Sequence, residues 1–287
     1  MPGQRQHGPH HRKRFGQVFL RDPLVIERIL QSTGLTPQET VVEIGPGRGA
    51  LTGALAQHSK ALYAIEIDPP YVDALRQHFA RLPHVHIIQA DARTYDYAQL
   101  PMPLVVVANL PYSMGMPILR QLFAFRHRLA RLVIMLQHEV AARLLAAPGT
   151  SAYGALSVFF QYYASVRHCF EVARHAFRPI PAVDSTVLSL VPYSSLPWVS
   201  CDEPFFLHVV RSAFVHRRKT LRTNLLVAPQ LHLTKADLER VFTALNLAPM
   251  VRPQDVSVAQ FVQLAARLHA LLTDGNAPGG RQLQQQS

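Results

Sequence analysis

Three strand-like runs of the sequence end in residues that could together bind a nucleoside. Val41-Val42-Glu43-Ile44 leads into Gly45-Pro46-Gly47-Arg48-Gly49-Ala50, where glycines allow a tight turn and a close approach of ligand to backbone. Ala61-Leu62-Tyr63-Ala64-Ile65 ends in Glu66, 19 positions after Gly47. At that separation a strand-end carboxylate can accept hydrogen bonds from both hydroxyls of a ribose. Ile87-Ile88-Gln89-Ala90 supplies Asp91, an acceptor suited to the exocyclic amine of adenine. Gly45-x-Gly47-x-x-Ala50 also satisfies the dinucleotide fingerprint, so NAD or FAD competes for this loop. A dinucleotide site has no use for the third carboxylate. Close-approach loop, ribose acceptor and adenine acceptor outline an adenosyl group without a pyrophosphate, which is S-adenosylmethionine. Glu43 would lie near the methionine ammonium, or would pack at the strand end.

A fourth run, Val105-Val106-Val107-Ala108, delivers Asn109, Leu110, Pro111 and Tyr112 in immediate succession. A turn uses Asn and Pro but has no need of the Tyr. On these residues alone, a strand-ending turn under an aromatic lid and a substrate site are both open.

The elements that would carry these residues follow an alternating pattern. Asp22-Pro23 reads as N-cap and first turn of a helix that Gly34 closes. Strands are expected at about 40–44, 61–66, 85–89, 104–108, 131–136, 164–171 and 186–192, with helical segments between most of them. That rhythm predicts a mostly parallel seven-stranded sheet with helices on both faces. The connection between the last two strands is too short for a helical crossover, so they should form an antiparallel pair at one edge. Helices near 203–215, 218–227, 234–245 and 257–272 follow without strands. The expected organisation is a basic arm over 1–21, a sheet domain over 22–195, an all-α domain over 196–272 and a disordered tail over 273–287, rich in Gly, Gln and Pro.

Composition narrows the partners. Hydrophobic residues make up 48% of the 287, enough for a full core, and 29 Lys and Arg against 18 acids leave a formal charge of +11. Such an excess favours a polyanion. Three segments lack Asp and Glu: 1–21; 98–138, with Arg120, Arg126, Arg128 and Arg131; and 204–236, with Arg217, Arg218, Lys219 and Arg222. Cys169 and Cys201 form no disulfide framework, and a reducing, cytoplasmic setting is expected. The sequence offers no apolar stretch of membrane-span length and no paired Cys/His spacing for a metal.

Lys13-Arg14-Phe15-Gly16-Gln17-Val18-Phe19-Leu20, the glycine loop, Glu66, Asp91, Asn109–Ser113, Phe177–Ser185 and Ala213–Arg222 together resemble the KsgA-type ribosomal RNA adenine dimethyltransferases. The match runs in order from about Lys13 to about Leu272. The resemblance implies a Rossmann-like class I methyltransferase sheet with a small all-α C-terminal domain. It also implies dimethylation at N6 of two adjacent adenosines in the 3′-terminal hairpin loop of 16S rRNA, within immature small ribosomal subunits, by a monomer. Related large-subunit enzymes of the macrolide-resistance type share the motif, and a non-catalytic assembly factor is a further alternative.

Cofactor contacts are implied at Gln17, Val18, Leu20, Gly45, Gly47, Glu66, Asp91 and Asn109, and RNA contacts at Arg14, Arg217, Arg218, Lys219 and Arg222. Val18 stands where the family commonly has Asn, so a side-chain contact to the methionine end is lost or replaced by Gln17 or by backbone. In this setting Asn109 and Leu110 would accept the two N–H bonds of N6 and aim its lone pair. Tyr112 would stack on the extruded base, with Phe177 as a second wall.

Overall fold

The structure, a computed structural model, describes residues 18–111, 113–198 and 202–274. Arg14, Gln17, Tyr112, Cys201 and nearly all of the expected C-terminal tail lie outside the described residues. The chain opens with a short strand β1 (Phe19–Leu20) and helix α1 (Pro23–Thr33). Asp22 caps α1 by accepting from the Leu24 amide, and Gly34 ends it at φ 55° with its N–H on the Gln31 carbonyl, the left-handed stop that glycine favours. Strands β2 (Thr40–Ile44), β3 (Ala61–Glu66), β4 (Val85–Gln89), β5 (Leu104–Asn109) and β6 (Leu129–Gln137) follow, with α2 (Thr52–Gln57), α3 (Pro69–His78) and α4 (Gly115–Ala124) between them. Next come α5 (His138–Leu145), α6 (Ala155–Tyr163), β7 (Ala164–Val172), β8 (Phe177–Arg178) and β9 (Ser185–Pro192).

Seven strands form one sheet in the order β4-β3-β2-β5-β6-β9-β7. The pairs among β2 to β6 are all parallel, and β9 runs antiparallel to β6. The seven expected strands are all present, and the sequence's last two lie side by side at the sheet edge, with β7 outermost. The strands β2 and β5 are neighbours, yet β3 and β4 extend from one side of them and β6 from the other. Ligands bind at such a switch of direction, outside the carboxyl ends of the strands. A second, two-stranded sheet was not anticipated: β1 pairs antiparallel with β8, Leu20 opposite Phe177.

Contacts divide the described residues into two units, 18–141 with 165–194 and 142–164 with 195–274. The second unit contains α7 (Glu203–Ala213), α8 (Leu221–Leu226), α9 (Lys235–Ala244) and α10 (Val258–Asp274). Its core takes in α6, which the alternating pattern alone assigned to the sheet domain. The fully buried Tyr162 packs on Phe206 with ring centroids 4.2 Å apart and stacks on Trp198 at 5.9 Å. Gln161 Nε2 donates to the carbonyls of Leu144 and Ala146 at 3.0 and 2.8 Å.

Two arginines of the acid-free segment 98–138 serve the fold. Arg128 Nη2 donates to the Leu100 carbonyl at 2.7 Å. Arg131, on β6, forks onto Glu39 with Nη1–Oε1 2.7 Å and Nη2–Oε2 2.9 Å, and also donates to the carbonyls of Thr33 and Gly34. It thereby satisfies carbonyls at the end of α1 and the acid that leads into β2. The guanidinium, aided by the Thr36 amide and hydroxyl, holds the Glu39 carboxyl down at about 2. Arg131→Met should destabilise the fold by about 2 kcal/mol near neutrality, a typical loss for a charged hydrogen-bonded group. Because the folded pKa of Glu39 is lowered, that contribution is present above its unfolded value and lost as pH falls toward 2. Urea unfolding at pH 7 and pH 3 should therefore show a smaller difference between parent and variant at the lower pH.

Candidate functional site

Strand register assembles the site. Ile44 pairs with Ile65 on one side and Ala108 on the other, so Gly45, Glu66 and Asn109 are the next residues in one row across three strands. Glu66 pairs with Gln89, which leaves Asp91 two residues beyond the end of β4. All four border one cleft, with Val18, Phe19, Leu20, Glu43, Arg93, Leu110 and Met114 among its other walls. The sequence therefore named residues that do converge.

Glu66 is the joint of this cleft. Its Oε2 accepts from the Gly47 amide at 3.0 Å, and its Oε1 accepts from the amides of Ile67 and Asp68 at 2.9 and 3.0 Å. One carboxylate thus ties the end of β3 to the glycine loop. Two acceptor positions on Oε1 are filled and one remains on Oε2, so a ribose would meet one open acceptor here rather than the two that spacing suggested. Burial raises the pKa of Glu66, against the pull of the three amides and with the adjacent Asp68.

Gly47, at φ 54°, lies so close to the Phe19 ring that a Cβ would come within 3.0 Å of it. The Phe19 ring in turn carries the Arg48 guanidinium 4.8 Å above its centre and meets Tyr71 edge-on at 5.6 Å. Phe19 is thus packed against the glycine loop, a role the sequence reading missed; an aromatic beside the expected contacts Val18 and Leu20 was the available signal. Val18 contributes its backbone: Asn109 Nδ2 donates to the Val18 carbonyl at 3.5 Å. A carbonyl can only accept, so the amide nitrogen faces Val18 and Asn109 Oδ1 is turned the other way.

Glu43 forms the floor. It is 2% exposed, its Oε2 has no hydrogen-bond partner, and no cationic side chain among the described residues pairs with it. Burial pushes its carboxyl up to about 8, and the nearby Glu66 carboxylate adds to the rise. At the far side Asp91 is held by Arg93, whose Nε lies 3.0 Å from each carboxylate oxygen, and this pair lowers the pKa of Asp91.

Phe177 is placed differently from the expectation. It is fully buried, belongs to the sheet core with Leu20 and Val172, and does not border the cleft. The β1–β8 pairing sets it opposite Leu20. In the helical unit, Arg217, Arg218 and Lys219 lie exposed between α7 and α8. Arg217 Nη2 donates to the Ser151 carbonyl at 2.5 Å, and Arg222 is 3.4 Å from Glu239. The fold has brought an acid to a segment that lacks one in sequence. Among the described residues no group of three or more His, Cys, Asp or Glu is placed to hold a metal, and no helix is long and apolar enough to cross a membrane.

The buried acid makes a pH-dependent prediction. The folded pKa of Glu43 lies above its unfolded value, so the neutral carboxyl is tolerated at low pH and its ionisation costs stability as pH rises toward about 8. Glu43→Gln removes that ionisation. Its melting temperature relative to the parent should rise from pH 5 to pH 8 and then level off; parallel curves would show that Glu43 does not titrate with folding.

The ribosomal RNA adenine dimethylase family model matches residues 8–269. Ribosomal RNA small subunit methyltransferase A of Marinobacter nauticus is 39% identical over 91% of this chain and 92% of its own, and that of Chromohalobacter salexigens is 41% identical over 88% and 90%. A dimethyladenosine transferase from Plasmodium falciparum has the same fold, with a TM-score of 0.72 over 86% of this chain and 95% of its own at 24% identity. A match across nearly the whole chain settles the family: the chain belongs to the ribosomal RNA adenine dimethylases.

Proposed function

We propose that this protein transfers methyl groups from S-adenosylmethionine to N6 of adenosine in small-subunit ribosomal RNA, dimethylating two adjacent adenosines of the 3′-terminal hairpin loop. The observation that carries the reading is the single row of Gly45, Glu66 and Asn109, with Asp91 beyond it. The residues fit the cofactor: positive-φ glycines at Gly45 and Gly47, one open acceptor on Glu66 and a buried acid at Glu43 whose Oε2 has no partner. Glu66 would receive a ribose hydroxyl, Asp91 the adenine amine, and Glu43 the methionine ammonium. When bound, S-adenosylmethionine supplies an electrophilic methyl group on a sulfonium.

The chain's own part is positioning. Asn109 Oδ1, turned away from Val18, accepts one N6 hydrogen of the target base, and the Leu110 carbonyl accepts the other. Those contacts localise a lone pair that would otherwise spread into the ring. Tyr112 supplies a stacking face for the extruded base. No side chain is required to remove a proton before transfer; the methylated amine becomes acidic and releases its proton to water. Sequence relatives carrying the small-subunit name favour that substrate over large-subunit RNA. The immature subunit as substrate, a monomeric state and a cytoplasmic setting complete the proposal.

The test is label transfer from S-adenosylmethionine to immature small subunits, with the modified nucleosides identified by mass spectrometry. Asn109→Ala should slow single-turnover transfer by about a hundredfold or more, the effect of removing one preorganised contact. Transfer at the parental rate would reduce the motif to a turn.

RNA grip should come from Arg218 and Lys219, since Arg217 and Arg222 have partners within the helical unit. Replacing Arg218 and Lys219 together with Ala should weaken RNA binding and make its logarithmic salt slope shallower by about 1.4 to 1.8, for two phosphate contacts. Filter binding across a salt series checks this, and an unchanged slope would assign both side chains to solvent.

A further inference from the structure

We propose that Arg93 weakens the preference of the cofactor cleft for a 6-amino purine, its guanidinium competing with the base for Asp91. The proposal rests on the reading that an adenosyl cofactor occupies this cleft. Asp91, Arg93 and Met114 all border it. Asp91 Oδ1 accepts from the Arg93 backbone amide at 2.9 Å and from Nε at 3.0 Å; Oδ2 accepts from Nε at 3.0 Å and from Nη2 at 2.5 Å. A carboxylate has about four lone-pair positions, and three N–H groups, with the single Nε–H shared between both oxygens, take up most of them, so an adenine amine competes with the guanidinium for Asp91. Arg93 Nη1 reaches across to Met114 Sδ at 3.6 Å, which holds the planar group over the nucleobase end.

The two states of this pair have opposite polarity. Masked, the site presents guanidinium N–H donors and suits a purine 6-oxo group. Unmasked, it presents carboxylate acceptors and suits a 6-amino group. Exchange is within reach of a ligand, because the side chains of Arg93 and Asp91 are 40% and 26% exposed and exposed ion pairs are weak. The Arg93 backbone amide stays on Oδ1 when the guanidinium leaves, so Asp91 keeps its orientation. Masking then acts as a fixed toll on every adenosyl ligand and as a contact for a 6-oxo competitor.

Titration calorimetry on the full chain separates this from an ordinary surface ion pair, using S-adenosylhomocysteine and its 6-oxo counterpart S-inosylhomocysteine. Arg93→Met should bind S-adenosylhomocysteine about two- to fivefold tighter, the worth of one exposed pair, and S-inosylhomocysteine no tighter or more weakly. Arg93→Lys, with a point charge in place of a fork, should fall between parent and Met. An unchanged ratio of the two affinities, or weaker S-adenosylhomocysteine binding in Arg93→Met, would overturn the proposal. A parent protein that binds neither ligand would overturn the cofactor reading and this proposal together.

Discussion

The register of the parallel strands at the β2–β5 switch is the constraint on which the site depends. Three strands end at one level, so Gly45, Glu66 and Asn109 stand in a row although 21 and 43 residues separate them in sequence. A slip by one residue would send each strand-end side chain to the opposite face of the sheet. The buried valines Val41, Val42, Val105, Val106 and Val107 make such a slip costly, because they fill the core on both faces. The Glu66 carboxylate then locks the glycine loop onto that register through the Gly47 amide.

The same geometry creates the electrostatic character of the cleft. In a chain with a formal charge of +11, the floor of the cleft holds two buried acids, Glu43 and Glu66. Both are raised by burial, and the Glu66 charge further raises Glu43. Glu66 offsets its burial with three backbone amides, whereas Glu43 Oε2 has no donor. A buried carboxyl with one oxygen lacking a donor favours its neutral form until a cation arrives. The acids therefore suit a cationic ligand.

Arginine serves three purposes here, and composition cannot separate them. Arg131 clamps Glu39 and the end of α1, Arg93 covers Asp91, and Arg218 lies exposed between α7 and α8. The planar fork explains the first two uses: it meets both oxygens of a carboxylate at once, which a lysine cannot do.

Much of this protein was legible in its sequence, for local reasons. Strand positions follow from runs of β-branched residues, the start and stop of α1 from Asp22, Pro23 and Gly34, and the cleft residues from their places at strand ends. Adenosine recognition followed from counting acceptors along the chain. What the tertiary structure decided are the partnerships between residues distant in sequence. It buried Phe177 under the β1–β8 pairing, gave Phe19 to Gly47 and brought Glu39 to Arg131 and Glu239 to Arg222. It also gathered α6 into the helical unit through Tyr162 and Phe206. The physical reason is one of range. Propensity, capping and alternation act over a few residues and are written in order, whereas hydrogen-bond saturation and burial depend on which surfaces meet in space.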